Sequence, residues 1–363
     1  MKIGGGWARF GLIPMLLAGV GCASIGPATV PRDRTDYITA VAESWKEQTL
    51  LNIVRLRYGD SPSFFDVSSV ISAYTFQGQI SAGGQVSSER TTSIPPGLAT
   101  LGGSASYTDR PTITYTPLAG ERFARSLLSP IPPSAIFQLI QAGYPADMIL
   151  QMTVRGINGL SNRSSLGGEA SDADPDFYAV AAALRRLQLS GDVSMRIEKR
   201  GGEDVGIVVF SAKRNEQANR DLDFVQKALR LSPGEGGQIN LTFGTLARNG
   251  AEIAVLSRSM LGVLLEVANG IEVPSADVSA GRTGQSARRP DAPDPRDRPL
   301  VRIYSGANAP AGTYAAVHYR GALYWIRDDD LASKRVFTYL MMFFSLAETG
   351  VVSQAPLVTI PAN

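Results

Sequence analysis

The sequence predicts an α+β fold, and three observations carry that expectation. Apolar residues recur at helical spacing from Asp36 to Tyr58, the period changes to two between Phe64 and Pro117, and from Pro175 to Phe243 the order reads helix, strand, strand, helix, strand. The last pattern indicates a two-layer α+β domain.

The long N-terminal helix places Tyr37, Val41, Trp45, Leu50, Leu51, Val54 and Tyr58 close to one stripe, and Gly59-Asp60-Ser61-Pro62 stops it. Beyond it, Tyr74, Phe76 and Ile80 alternate with Thr75, Gln77, Gln79 and Ser81. A loop from Ser87 to Gly97 contains Glu89, Arg90 and Pro95-Pro96, and Ile113 and Tyr115 then alternate with Thr112, Thr114 and Thr116. A long amphipathic β-hairpin is the simplest pairing.

Glu121 to Leu128 and Ser134 to Ala142 read as short helices separated by Pro130, Pro132 and Pro133, Met148 to Val154 fits either helix or strand, and Ser161 to Asp174 reads as a loop. The two-layer unit takes a helix Pro175 to Leu189, strands Val193 to Lys199 and Val205 to Ala212, a helix Asn215 to Leu231 and a strand Gln238 to Phe243. Ile253 to Ala268 reads as an apolar helix. Ser275 to Arg298, almost without apolar residues, reads as a disordered linker or loop.

The C-terminal strand-helix-strand piece comprises strands Leu300 to Tyr304 and Tyr314 to Ile326, the latter broken by Gly321, a helix Leu331 to Glu348 and a last strand near Leu357 to Ile360. Within that helix Val336 to Phe344 is apolar nearly all round yet too short to span a bilayer, so a buried helix is expected. The expected organisation is 1–21 signal peptide, 22–35 tether, 36–160 helix and hairpin region, 175–274 α+β domain, 275–298 linker and 299–363 C-terminal segment. No fixed-period repeat points to a solenoid or propeller.

The leader carries Lys2 and Arg9 and an apolar run from Phe10 to Val20, shorter than the roughly 20 residues of a membrane span, which is the shape of a signal peptide. The run ends at Ala18-Gly19-Val20-Gly21-Cys22, where small residues lead into the only cysteine of the chain. This segment resembles the lipobox of bacterial outer-membrane lipoproteins, although Gly19 stands where that family usually has Leu and the leucines sit at Leu16 and Leu17. The resemblance implies cleavage before Cys22, a diacylglycerol on its thiol and an acylated (palmitate-type) amino terminus. Ala23, in place of the Asp that favours inner-membrane retention, implies the outer membrane.

Loss of Lys2 and Arg9 lowers the basic count from 35 to 33, equal to the 33 acidic residues, so the balance suggests no nucleic-acid partner. With Cys22 consumed, no disulfide forms within one chain, and stability rests on packing. Ala23 to Arg34, rich in Pro, Gly and small residues, suits a flexible tether between lipid and body.

Catalytic signatures are sparse. His318 is the single histidine and falls in an expected strand, so neither a histidine metal pair nor a soft metal site with cysteine can be assembled, and no cofactor is implied. Gly-x-Ser-x-Gly, the phosphate loop and Ser-x-x-Lys do not occur. Gly83-Gly84, Gly102-Gly103 and Gly167-Gly168 lack a following helix that could hold a phosphate. Asp172-Ala173-Asp174-Pro175-Asp176 resembles a calcium loop only superficially, because Phe177 stands where Gly is required and Ala183 where Glu belongs. Asp174 as N-cap before Pro175, and Asp328-Asp329-Asp330 at the start of the last helix, read instead as capping groups.

Trp45, Arg55, Arg57 and Tyr58 combine aromatic and Arg side chains, as interaction hot spots do, and form the candidate interaction surface. Through Ser44-Trp45-Lys46-Glu47 to Arg57-Tyr58-Gly59-Asp60, Thr112-Ile113-Thr114-Tyr115 and Leu331-Ala332-Ser333-Lys334, the chain is similar to an uncharacterised family of proteobacterial lipoproteins over most of its mature length. That resemblance implies a shared fold and an envelope location, and no chemistry.

The expectation is therefore a non-enzymatic, periplasm-facing outer-membrane lipoprotein that binds a protein partner or itself as an envelope scaffold. An alternative is an oligomer whose 64–117 hairpins build an export channel, since long strands alternating aromatic and small polar residues are also those of membrane barrels. A second alternative is a carboxylate-dependent enzyme acting on envelope material, which would need two or more buried acids gathered in a cleft.

Overall fold

The computed structural model describes residues 25–71, 74–85, 98–164, 171–200, 203–232, 237–286, 288, 292 and 298–348. Its fold is α+β. The chain divides into two units, Met1–Val41 with Ile71–Thr112 and Ala42–Val70 with Ile113–Asn363.

Helix α1 (Ile25–Arg57) begins well before the expected Asp36, so residues 25–34 of the expected tether are helical. The proline-rich composition is tolerated because Pro27 falls in the first turn, where its N–H has no helical partner to lose. Pro31, one turn on, gives up one bond, and Thr35 and Thr39 return their hydroxyls to the carbonyls of Pro31 and Thr35. The other end closes in a Schellman motif: Gly59 has φ 75°, Gly59 N–H donates to Leu56 O and Asp60 N–H to Arg55 O.

Four strands follow, β1 (Phe64–Ile71), β2 (Tyr74–Gln85), β3 (Leu98–Asp109) and β4 (Thr112–Leu118). The second and third pair with each other, as do the first and fourth. The expected loop at 87–97 lies outside the described residues. Next come α2 (Glu121–Leu128), α3 (Pro133–Gln141, with Pro133 at its first turn), α4 (Ala146–Thr153) and β5 (Val154–Ile157), so the ambiguous segment at Met148 to Val154 is helical until its last residue. Asn158 and Gly159, with φ 46° and 86°, form the two-residue turn into β6 (Leu160–Ser161).

The expected two-layer unit is present as α5 (Pro175–Leu189), β7 (Val193–Arg200), β8 (Glu203–Phe210), α6 (Glu216–Ala228) and β9 (Gln238–Phe243). Asn215 caps α6 by accepting from Ala218 N–H at 2.8 Å. The expected helix from Ile253 is a strand followed by a helix, β10 (Glu252–Ser257) and α7 (Met260–Asn269), with the Ser259 hydroxyl capping the latter. A continuous apolar run fits a strand covered on both faces as well as a buried helix; here five of six β10 residues are buried, which selects the strand.

The chain ends its described course with α8 (Ser275–Ser279), β11 (Tyr304–Gly306), β12 (Thr313–Tyr319), β13 (Ala322–Arg327) and α9 (Leu331–Glu348). The expected linker is therefore ordered in its first half. Thr283 donates to Arg57 O and Ser286 to Ile271 O, and parts of 287–297 lie outside the described residues. Leu300 to Ile303 is not a strand, although Val301 and Ile303 are buried; pairing begins at Tyr304. Arg320 and Gly321, with φ 48° and 82°, make the tight turn between β12 and β13. The expected last strand near 357–360 lies outside the described residues.

In the larger unit the main sheet runs β6-β5-β10-β9-β8-β7, with β9 and β10 parallel and the other described pairs antiparallel. A second sheet, β11-β13-β12, is antiparallel. The core draws Leu50, Ile53 and Val54 of α1, Phe177, Val180 and Leu184 of α5, Val263, Leu264 and Val267 of α7 and Phe337 and Leu340 of α9 into one cluster with the strands. One face of α9 is buried, while Leu331 and Met342 are exposed.

Phe337→Ala should cost about 3–5 kcal/mol by opening a cavity at a fully buried site. Leu331→Ala on the exposed side of the same helix should stay within about 0.5 kcal/mol. Urea titration followed through Trp325 fluorescence would measure both.

Candidate interaction surface

The smaller unit contains the ribbon β2–β3, whose strands pair over twelve positions from Tyr74↔Asp109 to Gln85↔Leu98. Because side chains alternate along a strand, this register sorts the sequence into two faces. Thr75, Gln77, Gln79, Ser81, Gly83 and Gln85 share one with Thr108, Ser106, Ser104, Gly102, Thr100 and Leu98. Tyr74, Phe76, Gly78, Ile80, Ala82 and Gly84 share the other with Asp109, Tyr107, Ala105, Gly103, Leu101 and Ala99. Gln77, Gln79, Ser81, Ser104 and Ser106 are exposed. Ser81 donates across the ribbon to Gly102 O, and a Cβ at Gly102 would come within 2.9 Å of the Ser81 hydroxyl, so glycine permits this approach. Among the described residues neither strand pairs with a third.

The larger unit treats its own small sheet differently. Gln48 and Asn52, one turn apart on α1, aim their amides at the edge of β1. Gln48 accepts from Phe65 N–H at 2.8 Å and donates to Phe65 O at 2.9 Å, and Asn52 does the same with Ser63 at 2.8 and 2.7 Å. Each side-chain amide imitates a neighbouring strand. Phe65, Ile113 and Tyr115 of the β1–β4 sheet remain exposed.

Of the residues selected by sequence, Trp45 and Arg55 are half-buried on α1, whereas Tyr58 is buried and does not belong to a free surface. Its hydroxyl donates to Asp277 Oδ2 at 2.6 Å and lies 2.5 Å from the Tyr324 hydroxyl. Burial first, then the bond to Asp277, pushes the Tyr58 phenol far above its ordinary range. Arg57 donates to Asn269 Oδ1 and Gly284 O. Aromatic and Arg residues that resemble hot spots thus join α1 to α8, β13 and the 283–284 loop inside the larger unit. Cys22 lies outside the described residues.

Sequence reasoning missed a buried charge cluster. Arg258 lies between β10 and α7 with its side chain 1% exposed, donating to Gln151 O and Met152 O at 2.7 and 2.9 Å and also to Arg163 O. Glu266 approaches Arg258 at 3.6 Å and Arg163 at 3.5 Å. Burial lowers the Arg258 guanidinium to about 10, with Glu266 opposing the shift, so it stays charged near neutrality. The available signal was a cation and an anion inside the otherwise apolar run from Ile253 to Ala268.

The other buried acids are held by basic or hydroxyl groups: Asp221 by Arg186, Glu252 by Arg248, Asp277 by Tyr58 and Arg282, Asp330 by Arg302 and Ser333, and Asp192 by Ser190. Asp330 also accepts from Ser333 N–H, the expected cap of α9. Asp174 departs from expectation: it precedes α5, but its carboxylate accepts from Ser161 N–H at 2.6 Å and makes no cap bond. His318 is exposed on β12, and among the described residues no group of three or more His, Cys, Asp or Glu is placed to hold a metal. A groove of about 680 Å³ beside α3, lined by Pro130, Ile131, Leu139, Met260 and Phe343 among others, has no acid, base or histidine in its wall.

No family model, curated protein or solved structure matches this chain.

Glu266→Gln should destabilise the larger unit by about 3–5 kcal/mol, because it leaves two buried guanidinium groups without their counter-charge. A pH effect follows from Asp221 and Asp277. Arg186 holds the first below the usual carboxylate range, and Tyr58 and then Arg282 hold the second there. Carboxyls lowered on folding add stability above their unfolded value of about 4 and lose it as pH falls through the folded value. The urea midpoint should be flat from neutrality to about pH 5 and fall below about pH 4, and Asp221→Asn should flatten that fall.

Proposed function

We propose that this chain is a non-enzymatic interaction module of the bacterial envelope, attached by lipid on Cys22 to the outer membrane with its body in the periplasm, and that it engages its partner through the β2–β3 ribbon. The observation that supports the reading best is the ribbon's isolation: two twelve-residue strands whose outer edges meet no further strand among the described residues. A two-stranded hairpin is marginally stable in water, and open edges are templates for another chain. The protein partner, or a further copy, supplies what the ribbon lacks.

Two further features are consistent with this role. Among the described residues the buried acids sit with basic or hydroxyl partners and are not gathered as a pair of carboxylates for hydrolysis. Among the described residues no helix is long and apolar enough to cross a membrane, which is compatible with attachment through Cys22.

Photo-crosslinking residues installed in cells at Gln77, Gln79 and Ser104 should give higher-mass adducts, and the same probe at exposed Leu246 on the larger unit should not. Absence of adducts from all three ribbon positions would remove the ribbon as the interaction surface. Cys22→Ser should move the protein into the soluble periplasmic fraction; a variant still sedimenting with outer membranes would place the anchor elsewhere.

A further inference from the structure

We propose that the ribbon's partners are further copies of this chain, whose β2–β3 ribbons join edge to edge and close a membrane-spanning β-barrel with Gln77, Gln79, Ser81, Ser104 and Ser106 facing its lumen. This rests on the reading of β2–β3 as the interaction surface and adds its occupant and its solvent.

The first argument is charge. Across the 24 residues of β2 and β3 the only charged residue is Asp109, which pairs with Tyr74 at one end of the ribbon. At the chain's average of 19% charged residues, a segment this long would carry four or five. Water-facing edge strands protect themselves with Lys, Pro or inward charges, and of these β2 and β3 carry only the terminal Asp109.

The second argument is the sorting of faces. Apart from the two ends of β3, Leu98 and Asp109, the register puts Gln, Ser, Thr and Gly on one face and Tyr, Phe, Ile, Leu, Ala and Gly on the other. Membrane barrels show the same division between water-filled lumen and lipid. On the apolar face Tyr74, Phe76 and Tyr107 gather at one end, Phe76 directly opposite Tyr107 in the register, as aromatic girdles do at a membrane boundary.

Length agrees. Twelve residues at about 3.3 Å each extend about 40 Å, and a strand tilted by about 40° then crosses about 30 Å, the thickness of the hydrocarbon core.

Lipid entry also dictates the occupant of the edges. Hydrocarbon offers no hydrogen bonds to the outer N–H and C=O groups of β2 and β3, so one ribbon cannot enter alone and only a closed barrel can. Both strands have twelve residues and their faces alternate in phase. The outer edge of β3 in one copy can therefore meet the outer edge of β2 in the next, antiparallel, with polar face continuing polar face. Such head-to-tail contact is heterologous, which forms a ring when the rotation between copies closes.

The test uses the full-length lipidated chain, purified in detergent and reconstituted in phosphatidylethanolamine–phosphatidylglycerol vesicles loaded with carboxyfluorescein. Wild type should appear as a multi-copy species by mass photometry and release the dye. Ile80→Arg puts a charge on the lipid face and should lower release by about tenfold or more, whereas Gln79→Arg, the adjacent residue on the lumen face, should keep the multi-copy species and shift the reversal potential in planar bilayers toward anions. Ile80→Leu should behave as wild type, which separates charge from damage to folding. Monomers with tight vesicles, or equal effects of Gln79→Arg and Ile80→Arg, would overturn the barrel. If the crosslinks from Gln77, Gln79 and Ser104 then contain a different protein, the interaction reading stands without the barrel; if there are no crosslinks, both readings fall.

Discussion

Every backbone N–H and C=O withdrawn from water must find a partner, and the edges of a sheet are where that constraint bites hardest. The chain meets it by different means. In the larger unit, α1 closes the edge of β1 with two side-chain amides, Gln48 on Phe65 and Asn52 on Ser63, each making a donor and an acceptor bond. The same helix buries Leu50, Ile53 and Val54 in the core. One amphipathic stretch thus serves packing and edge protection together.

Arg258 answers the same constraint in the interior. The chain leaves α4 for β5 and β10 for α7 at neighbouring points, and these junctions expose carbonyls that no helix or strand satisfies. The Arg258 guanidinium donates to Gln151 O, Met152 O and Arg163 O, while its own N–H donates to Thr153 O and its own carbonyl accepts from Ile131 N–H. A single residue ties three segments, α4, the stretch at Arg163 and the one at Ile131, to the β10–α7 junction. The desolvation this requires is moderated by Glu266, which also faces Arg163.

The ribbon β2–β3 stands apart because neither solution is applied to it among the described residues. No charge other than Asp109 interrupts it, and its two faces are chemically distinct. The edge of β1 is closed by side-chain amides from α1, whereas the outer edges of the ribbon meet no further strand among the described residues, and that contrast is what supports the proposed interaction surface. Sequence reasoning weighed this hairpin but set the aromatic and Arg run from Trp45 to Tyr58 beside it as the candidate surface. That run failed in part because composition does not reveal burial: the Tyr58 hydroxyl has its partners 219 and 266 residues away, at Asp277 and Tyr324.

Local periodicity was sufficient for α5, α9, β9 and the α/β order of the two-layer unit, since the 3.6-residue and two-residue repeats there are not in competition. It was insufficient at Ile253 to Ser257, where an unbroken apolar run carries no period, and at 275–286, where polar composition concealed hydrogen bonds to Arg57 and Ile271. The Asn158-Gly159 turn was legible and was passed over. By itself the sequence determined which residues alternate and where α2, α5 and α9 start, because those properties belong to near neighbours along the chain. Only the tertiary structure decided which faces are covered, which acids meet which cations and which sheet edges stay open, because each depends on segments brought together from far apart in sequence.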